Sequence, residues 1–138
     1  MNKENLRKKY LELRKNICLS NKDKYNKEIF NRIIKLEEYL NSNLILTYVS
    51  LKDEVDTKGL IEYSLKLGKK VAVPKCIDKE MKFYLINSLF DLREGNYGIL
   101  EPIGEDIVND FSNSICIVPG ICFDKECNRI GYGMRILW

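Results

Sequence analysis

Between Lys3 and Ile17, the apolar residues Leu6, Tyr10, Leu13 and Ile17 recur at steps of three and four, which places them on one face of a helix. Lys3, Arg7 and Arg14 share a neighbouring face. A second helix is predicted from Ser20, whose hydroxyl can cap the free amides, with Asp23 favouring the positive helix end. Its apolar stripe is Tyr25, Ile29, Ile33 and Leu36. After Asn41, Ser42 and Asn43 the period changes: Leu44 to Val49 is a short apolar run bounded by polar residues, as a buried strand is. Ser50 to Asp56 reads as a polar turn, with Asp56 or Thr57 capping a helix that runs to Leu67 and stops at Gly68. Lys70 to Val73 reads as a second strand stopped by Pro74, Lys82 to Ile86 as a third, and Ile115 to Val118 as a fourth. A strand, helix, strand unit with short connections implies a right-handed parallel crossover. The pattern therefore predicts a single α/β domain over residues 1–138, three-layered, with an open, largely parallel sheet flanked by helices. In such sheets ligands bind beyond the carboxyl ends of the strands.

Composition narrows the picture. With 45% hydrophobic and 31% charged residues in 138, the chain can bury a core and does not read as disordered. No apolar run approaches the roughly 18 residues of a membrane span. The N-terminus is charged throughout and lacks the apolar region of a signal peptide, so a cytoplasmic location and no membrane partner are expected. The absence of His removes the usual general base, proton shuttle and metal ligand. Cys18, Cys76, Cys116, Cys122 and Cys127 form no C-x-x-C pair, and their odd number favours reduced thiols. Cys116, inside an apolar run, reads as a small buried hydrophobe.

The net charge of +3 hides an asymmetry: residues 1–40 carry 11 Lys/Arg against 6 Asp/Glu, and the remainder carries 12 against 14. The basic end is either a solvated helix face or a phosphate site, since Lys and Arg supply the donors such an anion needs. No nucleic-acid motif accompanies it and the remainder is acidic, so no nucleic-acid partner is expected.

Three places that follow predicted strands can carry chemistry. Lys52 to Thr57 holds three carboxylates; Asp56 reads as a helix cap, and Glu54 as a solvated turn residue or, if it faces a cleft, an acceptor for an amino-substituted ring. In Gly95 to Pro102, Tyr97 either stacks on a flat ligand or covers the core edge. Val118-Pro-Gly-Ile-Cys-Phe-Asp124 and the following Asn128-Arg-Ile-Gly-Tyr-Gly133 read either as a phosphate cradle, with glycines admitting the anion and Arg129 adding donors, or as a surface hairpin. The P-loop signature is lacking.

Together these features become a recognisable series. Lys3-x-x-x-Arg7 with Arg14 downstream, Tyr48 to Glu54-Val-Asp-Thr57, Gly68-Lys-x-Val-x-Val-Pro74, Met81-x-Phe83, Gly98-Ile-x-Glu-Pro102, and Val118-Pro-Gly-x-x-Phe-Asp124 through Gly133 occur in the order seen in 5-formyltetrahydrofolate cyclo-ligases. The chain resembles that family, also called 5,10-methenyltetrahydrofolate synthetases, from its first residues to Gly133. The resemblance implies an enzyme that converts 5-formyltetrahydrofolate, polyglutamylated forms included, to 5,10-methenyltetrahydrofolate with ATP and Mg2+. In the family the γ-phosphoryl group passes to the formyl oxygen, N10 attacks the activated carbon, and phosphate leaves; such chemistry rests on positioning and charge neutralisation. By the same resemblance Lys3, Arg7, Arg129, Ile130, Gly131, Tyr132 and Gly133 bind ATP, and Val49, Glu54, Tyr132 and Gly133 border the folate. It assigns no catalytic residue.

The sequence departs from the family after Gly133, where the family continues through glycines, Tyr-Tyr-Asp-Arg and a further part of the sheet, and here Met134-Arg-Ile-Leu-Trp138 follows. The family's Asp is a magnesium ligand, so no metal residue is assigned, and the C-terminal part of the family fold is expected to be missing. Gly-Tyr-Tyr-Asp encoded GGA TAT TAT GAT, read one register earlier, gives Arg-Ile-Leu and a TGA codon. Where TGA specifies Trp, that peptide matches residues 135–138, so a frameshift inside the loop is expected. A chain that ends at Trp138 is expected to have little ring-closing activity; the alternative is a non-catalytic module that binds nucleotide, folate or a partner. Cys127 also stands where the family has a turn Gly, which strains it if φ is positive.

Overall fold

The computed structural model describes residues 2–95 and 98–131. Helix α1 (Lys3–Lys15) begins at Asn2, whose Oδ1 accepts the Asn5 amide at 2.8 Å. This is the side-chain cap that a free helical N–H requires. Helix α2 runs from Leu19 to Ile33, and Ser20 lies inside it. The Ser20 hydroxyl pairs with Cys18 Sγ at 3.3 Å instead of capping amides, which corrects the expected start. The stripe also ends earlier than expected: Leu36 lies beyond the helix and precedes the single turn α3 (Glu37–Leu40), which the periodicity did not show.

The sheet has the order β3-β2-β1-β6, from β1 (Leu44–Thr47), β2 (Lys70–Ile77), β3 (Glu80–Ile86) and β6 (Ser114–Ile117). Helix α4 (Lys58–Lys66) links β1 to β2, which are parallel, with Ile45 opposite Val71. β6 joins β1 on its other side, also parallel, with Ile45 opposite Ile115. β3 returns antiparallel to β2, so the sheet is mixed and mostly parallel. Two small hairpins, β4 (Leu92–Glu94) with β5 (Leu100–Pro102) and β7 (Cys122–Phe123) with β8 (Arg129–Ile130), stand outside it.

Pro74 does not stop β2. The strand continues through it to Ile77, with Pro74 opposite Phe83. Pairing with β1 ends at Ala72, so Pro74 sits where only β3 flanks the strand, and its missing donor leaves no central ladder unsatisfied.

Alternation along β1 divides the core. Ile45 faces Val71, Val73, Leu60, Ile61 and Tyr39, with Phe30 and Ile33 of α2 packed against them. Leu44 and Leu46 face the other way, with Ala72, Phe83 and Val108. Cys116 lies on this second face at the edge strand, where it is exposed; the expectation of a buried thiol is thereby corrected. Ile115 and Ile117, one residue to either side, point to the helix-covered face and pack there.

A buried hydroxyl pair joins α3 to α4: Tyr39 Oη and Ser64 Oγ lie 2.6 Å apart, both fully buried. Lys69 completes the same corner, its ammonium donating to the carbonyls of Tyr39, Leu40 and Ser42. These carbonyls end α3, where a cation is favoured. Among the described residues, no helix is long and apolar enough to cross a membrane.

Candidate active site

The carboxyl end of β1 opens into the turn 50–57, which is built from short-range hydrogen bonds. Thr57 is buried; its hydroxyl donates to Tyr48 O at 2.8 Å and accepts from the Ser50 amide at 3.0 Å. Ser50 returns the contact, its Oγ accepting from the Thr57 amide. Helix α4 is capped instead by Asp56, whose carboxylate accepts from the Lys58 and Gly59 amides at 3.2 and 3.3 Å. Of the two capping candidates, Asp56 therefore caps the helix and Thr57 closes the turn.

Within this frame Glu54 folds over residues 51–54: its Oε1 accepts from the Leu51 amide at 2.8 Å, and its own amide donates to Leu51 O. Glu54 lines a cleft of about 450 Å³ between α2 and the turn, with Asn26, Lys27, Ser50, Lys52 and Lys58 around it. The cleft reading of Glu54 thus has a physical wall behind it. Val49 packs in the core beneath the turn, 5% exposed, and does not line that cleft. A larger hollow of about 590 Å³ lies against Lys8, Leu11 and Lys15, but α1 alone walls it, so it encloses nothing.

Two sequence-distant groups meet on the other side. Arg7 Nε donates to Gly131 O at 2.9 Å, across 124 positions. One turn earlier on α1, Lys3 is exposed. Arg14 Nη1 reaches Gly120 O at 3.5 Å, so both ends of the basic face rest on the chain between β6 and Gly131. That chain forms the β7–β8 hairpin, which is the hairpin reading of the sequence, and Ile130 lies in β8. Arg129 Nη1 donates to Pro119 O at 2.7 Å, folding its guanidinium onto the base of the hairpin. A Cβ at Gly120 would lie 2.6 Å from Phe123 Cζ and 3.0 Å from Arg129 Cγ, so a larger residue there displaces the Phe123 ring.

The hairpin's turn is held by Asp124, whose carboxylate accepts from the Glu126 and Asn128 amides and from Asn128 Nδ2. The Asn128 side-chain bond, then the backbone bonds, hold the Asp124 carboxyl below the usual carboxylate range. Cys127 in this turn has φ 66°, so the condition for strain at this position is met. Tyr97, Tyr132, Gly133 and the stretch Met134–Trp138 lie outside the described residues.

The sequence pattern missed the contacts that tie α2 to the turn 50–57. Lys22 Nζ of α2 binds Asp53 Oδ1 at 2.8 Å, and Asn26 Oδ1 accepts the Asp56 amide at 3.1 Å. Asp53 looked like one member of an acidic turn, and nothing in the periodicity says which helix lies opposite. The hydrogen bond from Lys22 comes first in holding the Asp53 carboxyl below its ordinary value, with the charges of Lys22, Lys52 and Arg14 adding to it. Among the described residues, no group of three or more His, Cys, Asp or Glu side chains is placed to hold a metal ion. No residue here is therefore assigned to magnesium.

A mostly parallel sheet, with a cleft of mixed charge after β1 and a basic helix resting on a hairpin that bears an Arg and glycines, is an α/β arrangement of the kind whose ligands bind beyond the strands' carboxyl ends. Comparison with known proteins specifies the class. Residues 1–134 match the 5-formyltetrahydrofolate cyclo-ligase family, and the chain belongs to that family. It is 33% identical over 117 residues to a probable 5-formyltetrahydrofolate cyclo-ligase of Schizosaccharomyces pombe, covering 80% of this chain and 57% of the relative. It is 27% identical over 111 residues to the 5-formyltetrahydrofolate cyclo-ligase of Mus musculus, covering 74% and 55%. The chain thus spans little more than half the length of these relatives. The NMR structure of the Aquifex aeolicus 5,10-methenyltetrahydrofolate synthetase superposes with a TM-score of 0.87 at 32% identity, over 97% of this chain and 69% of that one. A synthetase structure from Mycoplasma pneumoniae, at 20% identity and a TM-score of 0.72, shares the fold over 96% of this chain and 73% of the other.

Proposed function

We propose that this chain serves the ATP- and Mg2+-dependent closure of 5-formyltetrahydrofolate to 5,10-methenyltetrahydrofolate, as a cytoplasmic enzyme acting on that folate and its polyglutamylated forms. The observation that carries this reading is the convergence of Arg7 with Gly131, on the side of the sheet's end where α1 brings its basic face to a glycine-bearing loop. Lys3, Arg7 and Arg129 supply positive charge and directed donors for the phosphates, Ile130 and Gly131 the backbone beside them, and the resemblance adds Tyr132 and Gly133. Glu54, with Val49 behind it, is the acceptor for the amino and ring N–H groups of the pterin. The γ-phosphoryl group moves from ATP to the formyl oxygen, leaving ADP; N10 then bonds to the formyl carbon, and the C–O bond breaks as phosphate leaves. No protein nucleophile is required, which suits a chain without His.

In the family resemblance, magnesium is held by an Asp beyond Gly133, and none stands there in this sequence. A polypeptide of these 138 residues alone, without the segment that carries the family's Asp, is proposed to hold both ligands yet close the ring slowly. The test is to titrate it calorimetrically with ATP and with 5-formyltetrahydrofolate, then to follow methenyltetrahydrofolate absorbance with both present. Failure to bind either ligand overturns the site assignment; turnover equal to that of a longer relative overturns the proposed slowness.

A further inference from the structure

The α1–α2 pair touches both sides of the site through different residues. Towards the nucleotide side, Arg7 binds Gly131 O and Arg14 reaches Gly120 O. Towards the folate side, Lys22 binds Asp53 at 2.8 Å and Asn26 receives the Asp56 amide. Asp53 directly precedes Glu54, in a turn shaped by bonds among residues 48–57. The Lys22–Asp53 pair and the Asn26–Asp56 bond both tie this turn to α2, and the ion pair is partly shielded, with side chains 20% and 37% exposed. An isolated pair of that exposure adds little to stability. Its value lies in geometry: it fixes the turn bearing Glu54 to α2, and Arg14 of α1, which reaches Gly120 O of the hairpin, acts with its charge on the same Asp53 carboxylate.

We propose that Asp53 is a positioning residue that, through Lys22, couples the folate-side turn to the nucleotide-side hairpin, so that filling one side favours filling the other. The proposal rests on the functional reading above. Asp53 touches neither ligand; it sets where Glu54 stands. Two loops ordered by one strap share the entropic cost of becoming ordered, and the first ligand to bind bears most of it.

The full chain is compared with Asp53→Asn, Lys22→Met and the double variant, with Lys22→Arg as the conservative control. Hydrogen exchange without ligand is read first. Breaking the pair is expected to speed exchange both in residues 50–57 and in the hairpin 119–131, whereas loosening of residues 50–57 alone overturns the proposal. Binding of 5-formyltetrahydrofolate is then measured with and without an ATP analogue that cannot transfer its γ-phosphate. In the parent chain and in Lys22→Arg the analogue is expected to tighten folate binding about fivefold or more. In Asp53→Asn and Lys22→Met that factor falls towards one, and the double variant is no worse than either single change. An unchanged factor, or additive losses, overturns the coupling. If neither ligand binds the parent chain, the functional reading fails, and the exchange data still decide whether the strap exists.

Discussion

Arg7 Nε and Gly131 O, 124 positions apart, form a 2.9 Å hydrogen bond that closes α1 onto the end of the β7–β8 hairpin. Sequence resemblance assigns both residues to ATP, and the fold brings them into contact. A charged donor on a partly shielded carbonyl is worth about 1.5–3 kcal/mol. Arg7→Met is expected to weaken ATP binding roughly tenfold or more, with 5-formyltetrahydrofolate binding in the absence of nucleotide changed much less. Calorimetric titration with each ligand separately makes the check.

Glu54 is expected to show the opposite selectivity. Glu54→Gln retains an oxygen for the Leu51 amide but removes the charge that receives the pterin's N–H groups. Its affinity for 5-formyltetrahydrofolate should fall roughly tenfold, while ATP binding and the thermal midpoint stay close to those of the parent chain.

Tyr39→Phe leaves the fully buried Ser64 hydroxyl without the phenol 2.6 Å away. A buried polar group deprived of its partner costs about 1–3 kcal/mol. Urea unfolding should show a lower midpoint with an unchanged slope, and Tyr39→Phe combined with Ser64→Ala should recover part of the loss.

Cys127→Gly relieves a non-glycine residue at φ 66°. The left-handed conformation costs roughly 1–2 kcal/mol for a residue with a Cβ. Part of the gain is offset by the freer unfolded chain, so a net stabilisation of up to about 1 kcal/mol is expected in the same unfolding measurement.

Acid should loosen both sides of the site. Asp53 and Asp124 have folded pKa values below their unfolded ones, Asp53 through Lys22 and Asp124 through Asn128. Their contributions are therefore fully present above the unfolded carboxylate value, about 3.9, and are lost as pH falls through the depressed folded values. Amide exchange corrected for its intrinsic pH dependence should show protection of residues 50–57 and 124–128 constant from neutrality to about pH 5 and falling below pH 4. Asp124→Asn should flatten that fall in the hairpin only.

Much of the fold was legible because burial imposes a period. The runs Leu44–Thr47 and Val71–Val73 are buried on both faces, as parallel neighbours at the centre of a covered sheet are. Pro74 misled because a proline is excluded only where both neighbours need its donor, and the loss of β1 as a neighbour after Ala72 is a tertiary fact. Cys116 misled for a related reason: an apolar run shows burial of the strand on average, and at an edge one face stays open. The candidate site residues Arg7, Glu54 and Gly131 come from motif order, which carries chemistry that composition does not. Lys22 and Asp53 were invisible because an ion pair between a helix and a turn leaves no period in either.

The most direct test of the central claim is a pair of calorimetric titrations, ATP and 5-formyltetrahydrofolate, on the parent chain, Arg7→Met and Glu54→Gln. The account predicts that both ligands bind the parent, that Arg7→Met loses chiefly ATP, and that Glu54→Gln loses chiefly the folate. A parent chain that binds neither ligand, or variants that lose both ligands equally while remaining folded, would contradict it.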